Sequence, residues 1–186
     1  MTSPDSDLLK FAREVYAQPG IQALCLRLQD EDDADVVLLL TCCWYGRCHG
    51  TLRDDQLTQA MAFCELWRTR LVRPLRQARR WLKPHPANTP GITGADQEAL
   101  RQRIKALELD AEFMQLRALA GILTDNSPAA RRNQNGDALA AIRANLLLYV
   151  CHTSLNSSAP ENNQPNRTGL NEGAITSLAQ ASLAQI

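Results

Sequence analysis

Three thiols and an imidazole crowd one short stretch of the chain: Cys42, Cys43, Cys48 and His49. Thiolate and imidazole are good zinc ligands, and a closed site takes four of them in a tetrahedral array. Adjacent residues on a helix point about 100° apart, so Cys42 and Cys43 are poor partners for one metal. Cys151-His152 adds two ligands only where the fold brings them near, and no C-x-x-C occurs. The simpler account is thiols packed as small hydrophobes near a helix end. An enzyme with a thiol or metal site around Cys43 and Cys48 stays open as an alternative, and it predicts bound zinc or a rapidly alkylated cysteine.

The other reactive residue types are thinly spread. His49, His85 and His152 have no Ser or Cys nucleophile at a recognisable spacing. Glu108 and Glu112 lie one turn apart, a pairing that binds two metals when E-x-x-H on other helices completes it. No E-x-x-H is present, so a solvated or ion-paired acidic face is the better reading. Neither G-x-x-x-x-G-K-[ST] nor G-x-G-x-x-G occurs, which leaves nucleotide binding without support. No catalytic residue, metal ligand or cofactor is assigned.

The sharpest local feature is basic. From Leu66 to Lys83 the chain carries Arg68, Arg70, Arg73, Arg76, Arg79, Arg80 and Lys83 and no acid. On a helical wheel Arg73, Arg76, Arg80 and Lys83 cluster opposite a Leu71/Leu75/Leu82 stripe. An Arg fork matches phosphate and carboxylate geometry, and Trp81 or Trp67 could stack a base. Arg73, Arg76, Arg80, Lys83 and Trp81 are therefore the candidate partner-binding residues. The partner is another protein with an acidic surface, or alternatively a nucleic acid. Two plainer accounts fit the same residues: the charged side of a bundle helix, or internal pairing with the acidic run from Asp30 to Asp35.

Helices must position these residues, because the apolar positions recur at steps of three and four and no strand-like alternation is visible. A first helix is expected from Ser6 to Ala17, capped by Ser6 or Asp5. It has Leu8, Phe11, Ala12, Val15 and Tyr16 on one side, and Pro19-Gly20 ends it. A second puts Ile21, Leu24, Cys25 and Leu28 inward. A third, from Asp33 or Asp35 to about Cys48, is apolar nearly all round and belongs at the centre of the bundle. Gly46 or Gly50 closes it.

A fourth helix begins near Asp54, with a buried stripe of Leu57, Met61, Cys64, Leu71, Leu75, Ala78 and Leu82. Pro74 predicts a kink or a fresh helix there. Pro84 to Gly94 reads as a loop, and Thr93 with Asp96 resembles a capping box. The next helix runs to about Leu123. Leu100, Ile104, Leu107, Ala111, Met114 and Ala118 form a heptad-like seam on it, with a second stripe of Leu109, Phe113, Leu116 and Leu119. Two apolar faces mean burial between neighbours or a partner surface, so the 100–119 helix is also a candidate homo-oligomer contact. After a polar stretch from Thr124 to Gly136, Asp137 caps a last core helix to about Cys151.

The expected architecture is an all-α bundle of five to six helices with a flexible C-terminal tail. Its parts are a bundle over 1–153, a disordered Asn/Ser/Pro linker over 154–170 and a short amphipathic segment over 171–186. The 186 residues suit one domain. Twenty Lys and Arg balance twenty Asp and Glu, which excludes a polybasic chain gripping nucleic acid or membrane over its whole surface. The longest apolar stretch, Val36 to Tyr45, is far short of the roughly 20 residues of a membrane span. Met1 to Lys10 has no secretion signal pattern, so reduced thiols and a cytoplasmic location are expected.

One further pattern lies in the order of these features. Val15-Tyr16-Ala17-Gln18-Pro19-Gly20 leads to Cys25-Leu26, Leu28-Gln29-Asp30, Asp35-Val36, Leu38-Leu39-Leu40 and Trp44. Trp67-Arg68, Val72-Arg73-Pro74-Leu75-Arg76, Arg79 and the run from Lys105 to Glu112 follow. Over roughly residues 8 to 120 the chain resembles a proteobacterial family of small uncharacterised helical proteins, a domain of unknown function. The resemblance implies a bacterial cytoplasmic helical protein and carries no reaction. Together these readings point to a non-enzymatic interaction or regulatory protein.

Overall fold

The structure, a computed structural model, describes residues 4–83, 91–125, 137–156 and 170–184. Its helices are α1 (Pro4–Tyr16), α2 (Ile21–Glu31), α3 (Val36–Cys48), α4 (Asp54–Trp67), α5 (Arg73–Trp81), α6 (Gly94–Asp125), α7 (Ala138–Asn156) and α8 (Glu172–Leu183). A π-helical turn, Arg68–Val72, joins α4 to α5 without a break. The fold is all-α, with no strand among the described residues. Counting α4, the π turn and α5 as one stretch, those residues form seven helical segments rather than five to six.

Local chemistry explains the helix ends. α1 starts at Pro4, because a proline in the first turn loses no hydrogen bond. Asp5 and Ser6 therefore lie inside the helix rather than before its first residue. Gly20 adopts φ 79°, a left-handed conformation that glycine takes without penalty, and so separates α1 from α2. The Asp35 carboxylate accepts the Leu38 N–H at 3.1 Å and caps α3. At the other end Gly50, at φ 94°, donates its N–H to the Tyr45 carbonyl at 3.0 Å.

The chain forms two compact units, and the division falls inside α4 and α6. The first contains Met1–Met61 and Leu116–Ile186. At its centre lies α3, ten of whose thirteen residues are buried, as its all-round apolar character requires. α7 is its main neighbour, with α1 and α8 also against it. α3 and α7 approach so closely that a Cβ on Gly46 would stand 2.7 Å from the backbone of Ile142. Gly46 is thus a packing glycine, and Gly50 is the one that closes the helix.

Polar groups buried in this unit are satisfied across elements. Asn145 of α7 accepts the Leu52 N–H at 2.7 Å and donates to the Cys42 and Gly50 carbonyls at 3.2 Å each. Gln56 donates to the Tyr45 hydroxyl at 3.1 Å. The C-terminal segment packs as α8, burying Leu170, Ala174, Ile175, Leu178 and Ala179. Asn171 caps its start, accepting the Ala174 N–H. Arg47 of α3 donates to the terminal Ser182 and Leu183 carbonyls at 3.0 and 3.1 Å. α7 runs to Asn156, so residues 154–156 of the expected linker are helical. Residues 157–169, His85 and most of the 84–94 and 124–136 loops lie outside the described residues.

The second unit, Ala62–Gln115, comprises the end of α4, the π turn, α5 and most of α6. It buries little apolar material. Among its described residues only Cys64, Val72 and Ala111 are buried hydrophobes, and they share the interior with Gln115 and Glu108. Trp67 donates its indole N–H to the Ala111 carbonyl at 3.1 Å, and Gln115 donates to the Cys64 sulfur at 3.3 Å. No helix among the described residues is long and apolar enough to cross a membrane.

Candidate partner-binding site

Pro74 decides where the arginines point. In an α-helix its ring would collide with the Arg70 carbonyl and remove one hydrogen bond. The backbone widens instead, and the Arg73 N–H donates to the Arg68 carbonyl five residues back. A π turn inserts one residue, so every later side chain rotates by about 100° relative to the earlier stripe. The inward series becomes Cys64, Val72, Arg76 and Arg79 in place of Cys64, Leu71, Leu75 and Ala78. Val72 is buried, Leu71 and Leu75 are half-buried, and Ala78 is exposed.

The rotation carries Arg76 into an ion-pair network with α6. Its Nε donates to Glu108 Oε1 at 2.7 Å and its Nη2 to Glu112 Oε1 at 3.0 Å. Arg79 donates through Nε to Glu108 Oε2 at 2.6 Å. The side chains of Arg76 and Glu108 are only 11% and 9% exposed, so this is an internal network. Burial pushes the Glu108 carboxyl up, but hydrogen bonds from Arg79 and Arg76 and their charges outweigh it and hold the group below its ordinary range. Glu108 and Glu112 are thus ion-pair partners of Arg76, and Glu108 is one of Arg79.

The five predicted site residues therefore divide. Arg76 is held within the network, its side chain largely covered. Arg73 is one-third exposed, with Nη1 3.5 Å from Glu65 Oε1. Arg80, Trp81 and Lys83 are exposed at the end of α5, Trp81 to 62%. Arg79 was not among the predicted site residues. The signal for its inward turn was Pro74 itself, read as a change of helical phase rather than a bend.

The sulfur- and nitrogen-rich stretch converges on no common point. Cys42 and Cys43 are buried, Cys48 is half-buried and Cys151 is exposed. Burial pushes the Cys43 thiol up to about 12, with a hydrogen bond to Ser182 opposing the rise. A thiol there is protonated at neutral pH and is no nucleophile. His49 packs edge-on to Trp44, with ring centroids 4.8 Å apart, and burial lowers its pKa. His152 Nε2 lies 2.7 Å from Asp54 Oδ1. Among the described residues no three His, Cys, Asp or Glu side chains group as metal ligands. Glu108 and Glu112, the one carboxylate pair with metal-binding spacing, are occupied by arginines.

The model of a family described as "protein of unknown function (DUF2390)" matches residues 7–119. No curated protein and no solved structure matches the chain. The matched region takes in the basic helix and the Glu108 network. It stops short of α7, the main neighbour of the central helix.

Proposed function

We propose that this chain, which belongs to the DUF2390 family of unknown function, is a non-enzymatic interaction or regulatory protein of the bacterial cytoplasm. On this reading it binds an acidic protein surface through Trp81, Arg80 and Lys83. One observation carries the reading: a tryptophan 62% exposed beside two exposed cations, on the unit with the smallest apolar interior. Tryptophan and arginine dominate binding energy at interfaces: an indole buries a large area with two rotatable bonds, and a guanidinium fork bonds carboxylates in pairs.

The ion pairs favour a protein over a nucleic acid as partner. Arg76 and Arg79 are neutralised by Glu108 and Glu112, and Arg73 approaches Glu65. Phosphate binding draws on every uncompensated cation, and this helix offers fewer of them than its sequence suggests. The buried thiols give the thiol-enzyme alternative no accessible nucleophile at Cys43.

The test is affinity capture from bacterial cytosol, with and without nuclease, using the wild-type chain beside Trp81→Ala and the double variant Arg80→Glu/Lys83→Glu. Arg76 is left unchanged, since reversing it would set an acid against Glu108. A protein partner that survives nuclease and is lost with both variants is the expected outcome. Nucleic acid released by nuclease and by high salt would replace this reading with the nucleic-acid one. Capture that both variants leave unchanged would remove this site from consideration.

A further inference from the structure

The second unit exposes apolar side chains out of proportion to its size. Seven of the nine large hydrophobic residues exposed among the described residues belong to it: Leu66, Trp81, Ile92, Leu100, Leu107, Leu109 and Met114. Three of these fall at seven-residue intervals on α6: Leu100, Leu107 and Met114, exposed to 46%, 54% and 53%. Seven residues make almost two full turns, so the three side chains form one stripe along the helix. Residues 94–115 span about 33 Å at 1.5 Å per residue, room for three heptads. α6 turns a different side, carrying Glu108, Ala111 and Gln115, toward the interior. The exposed stripe lies beside that buried side and is distinct from it.

Charge beside the stripe indicates what covers it. Arg103 and Asp110 are exposed, lie along the same edge of the stripe, and form no ion pair among the described residues. They sit almost symmetrically about Leu107, four residues before it and three after. A second α6 laid antiparallel, with the two-fold axis at Leu107, sets Leu107 against its own copy and Leu100 against the copy's Met114. The same axis brings Arg103 level, within one residue or about 1.5 Å, with the copy's Asp110. A two-fold contact repeats each pairing, so both Arg–Asp pairs form at once. A parallel two-fold pair would place the copy's Arg103 and Asp110 on the opposite edge of the contact, where neither Arg–Asp pair forms.

We infer that α6 is a self-association surface, pairing antiparallel with a second copy of this chain through Leu100, Leu107 and Met114 and locked in register by reciprocal Arg103–Asp110 ion pairs. This contact is independent of the Trp81 site. Either can fail without the other.

A charge-swap cycle on the full chain tests it, read by sedimentation velocity across micromolar concentrations. The wild type sediments as a dimer. Arg103→Glu and Asp110→Arg each place like charges together twice and raise the dimer dissociation constant about tenfold or more. The double variant Arg103→Glu/Asp110→Arg restores opposite charges across the axis and returns the constant to within about threefold of wild type. Residues 103 and 110 lie about 10 Å apart along one helix, so the rescue can only be between chains. Leu107→Lys abolishes the dimer. Because all three positions are exposed, circular dichroism melts confirm that each variant stays folded. A wild type that remains monomeric to several hundred micromolar, dimers indifferent to the single reversals, or a double variant that fails to recover would each overturn the inference.

Discussion

Glu108 is the residue on which the second unit turns. A carboxylate 9% exposed, gripped by two guanidinium groups, is stable only while both cations stay in place. Glu108→Ala removes the carboxylate that Arg79 and Arg76 share and leaves Arg76 its contact with Glu112, and losing one partner of such partly buried hydrogen bonds costs about 1–3 kcal/mol. Urea unfolding followed at α5 should show a loss of that order. The network also dictates a pH response. The Glu108 pKa is depressed in the folded state, so its stabilising contribution is complete above the unfolded value of about 4.3. That contribution is lost as pH falls through the lower folded value. Between pH 5 and pH 3 the wild type should therefore lose more stability than Glu108→Ala, a difference readable from urea midpoints at each pH.

At the scale of elements, the fit of α3 against α7 is the tightest constraint. Gly46→Ala would drive a methyl to 2.7 Å from the Ile142 backbone, and backbone cannot swing aside as a flexible side chain can. The helices must separate, with a penalty of about 2 kcal/mol or more. A melting temperature lowered by several degrees or more is expected, and an unchanged one would show that the pair is not closely packed. The π turn is the other element-level device. It answers the absent N–H of Pro74 and, by adding one residue to the turn, moves arginines into the interior and leaves leucines at its margin. Sequence periodicity located the helix on either side of Pro74 but carried its phase straight through. The wheel therefore put Arg76 on the outer face and Ala78 inside, the reverse of the structure.

Across the whole molecule the two units differ in what holds them. The first buries large aliphatic side chains fully, among them Leu38, Leu39, Ile142, Leu146, Ile175 and Leu178. The second relies on three small or medium hydrophobes and an ion-pair network. Local opening free energy follows buried apolar contact. Native-state hydrogen exchange should find amides of Gln77–Trp81 less protected than those of Leu39–Cys43 by about 2 kcal/mol or more, roughly thirtyfold in rate. Equal protection would mean that the whole chain opens as one cooperative unit.

What the sequence determined by itself is the local grammar. It set the all-helical class, the central place of α3, a start for it at Asp33 or Asp35 and the break at Pro19-Gly20, because each depends on residues within a turn or two of one another. Most of the inward sets of α1 and α2 were legible in the same way: Leu8, Phe11, Ala12 and Val15, then Ile21, Cys25 and Leu28, are buried, whereas Tyr16 and Leu24 are half-buried. Only the tertiary structure decided which arginines remain exposed, that Glu108 lies 2.7 Å from Arg76 thirty-two residues away, that Asn145 bonds three backbone groups of the α3–α4 region, and that the C-terminal segment is a core helix. The reason is physical. Helical periodicity is a short-range property of the chain. The phase beyond a backbone defect and the partner of a buried charge are settled by how separate elements dock.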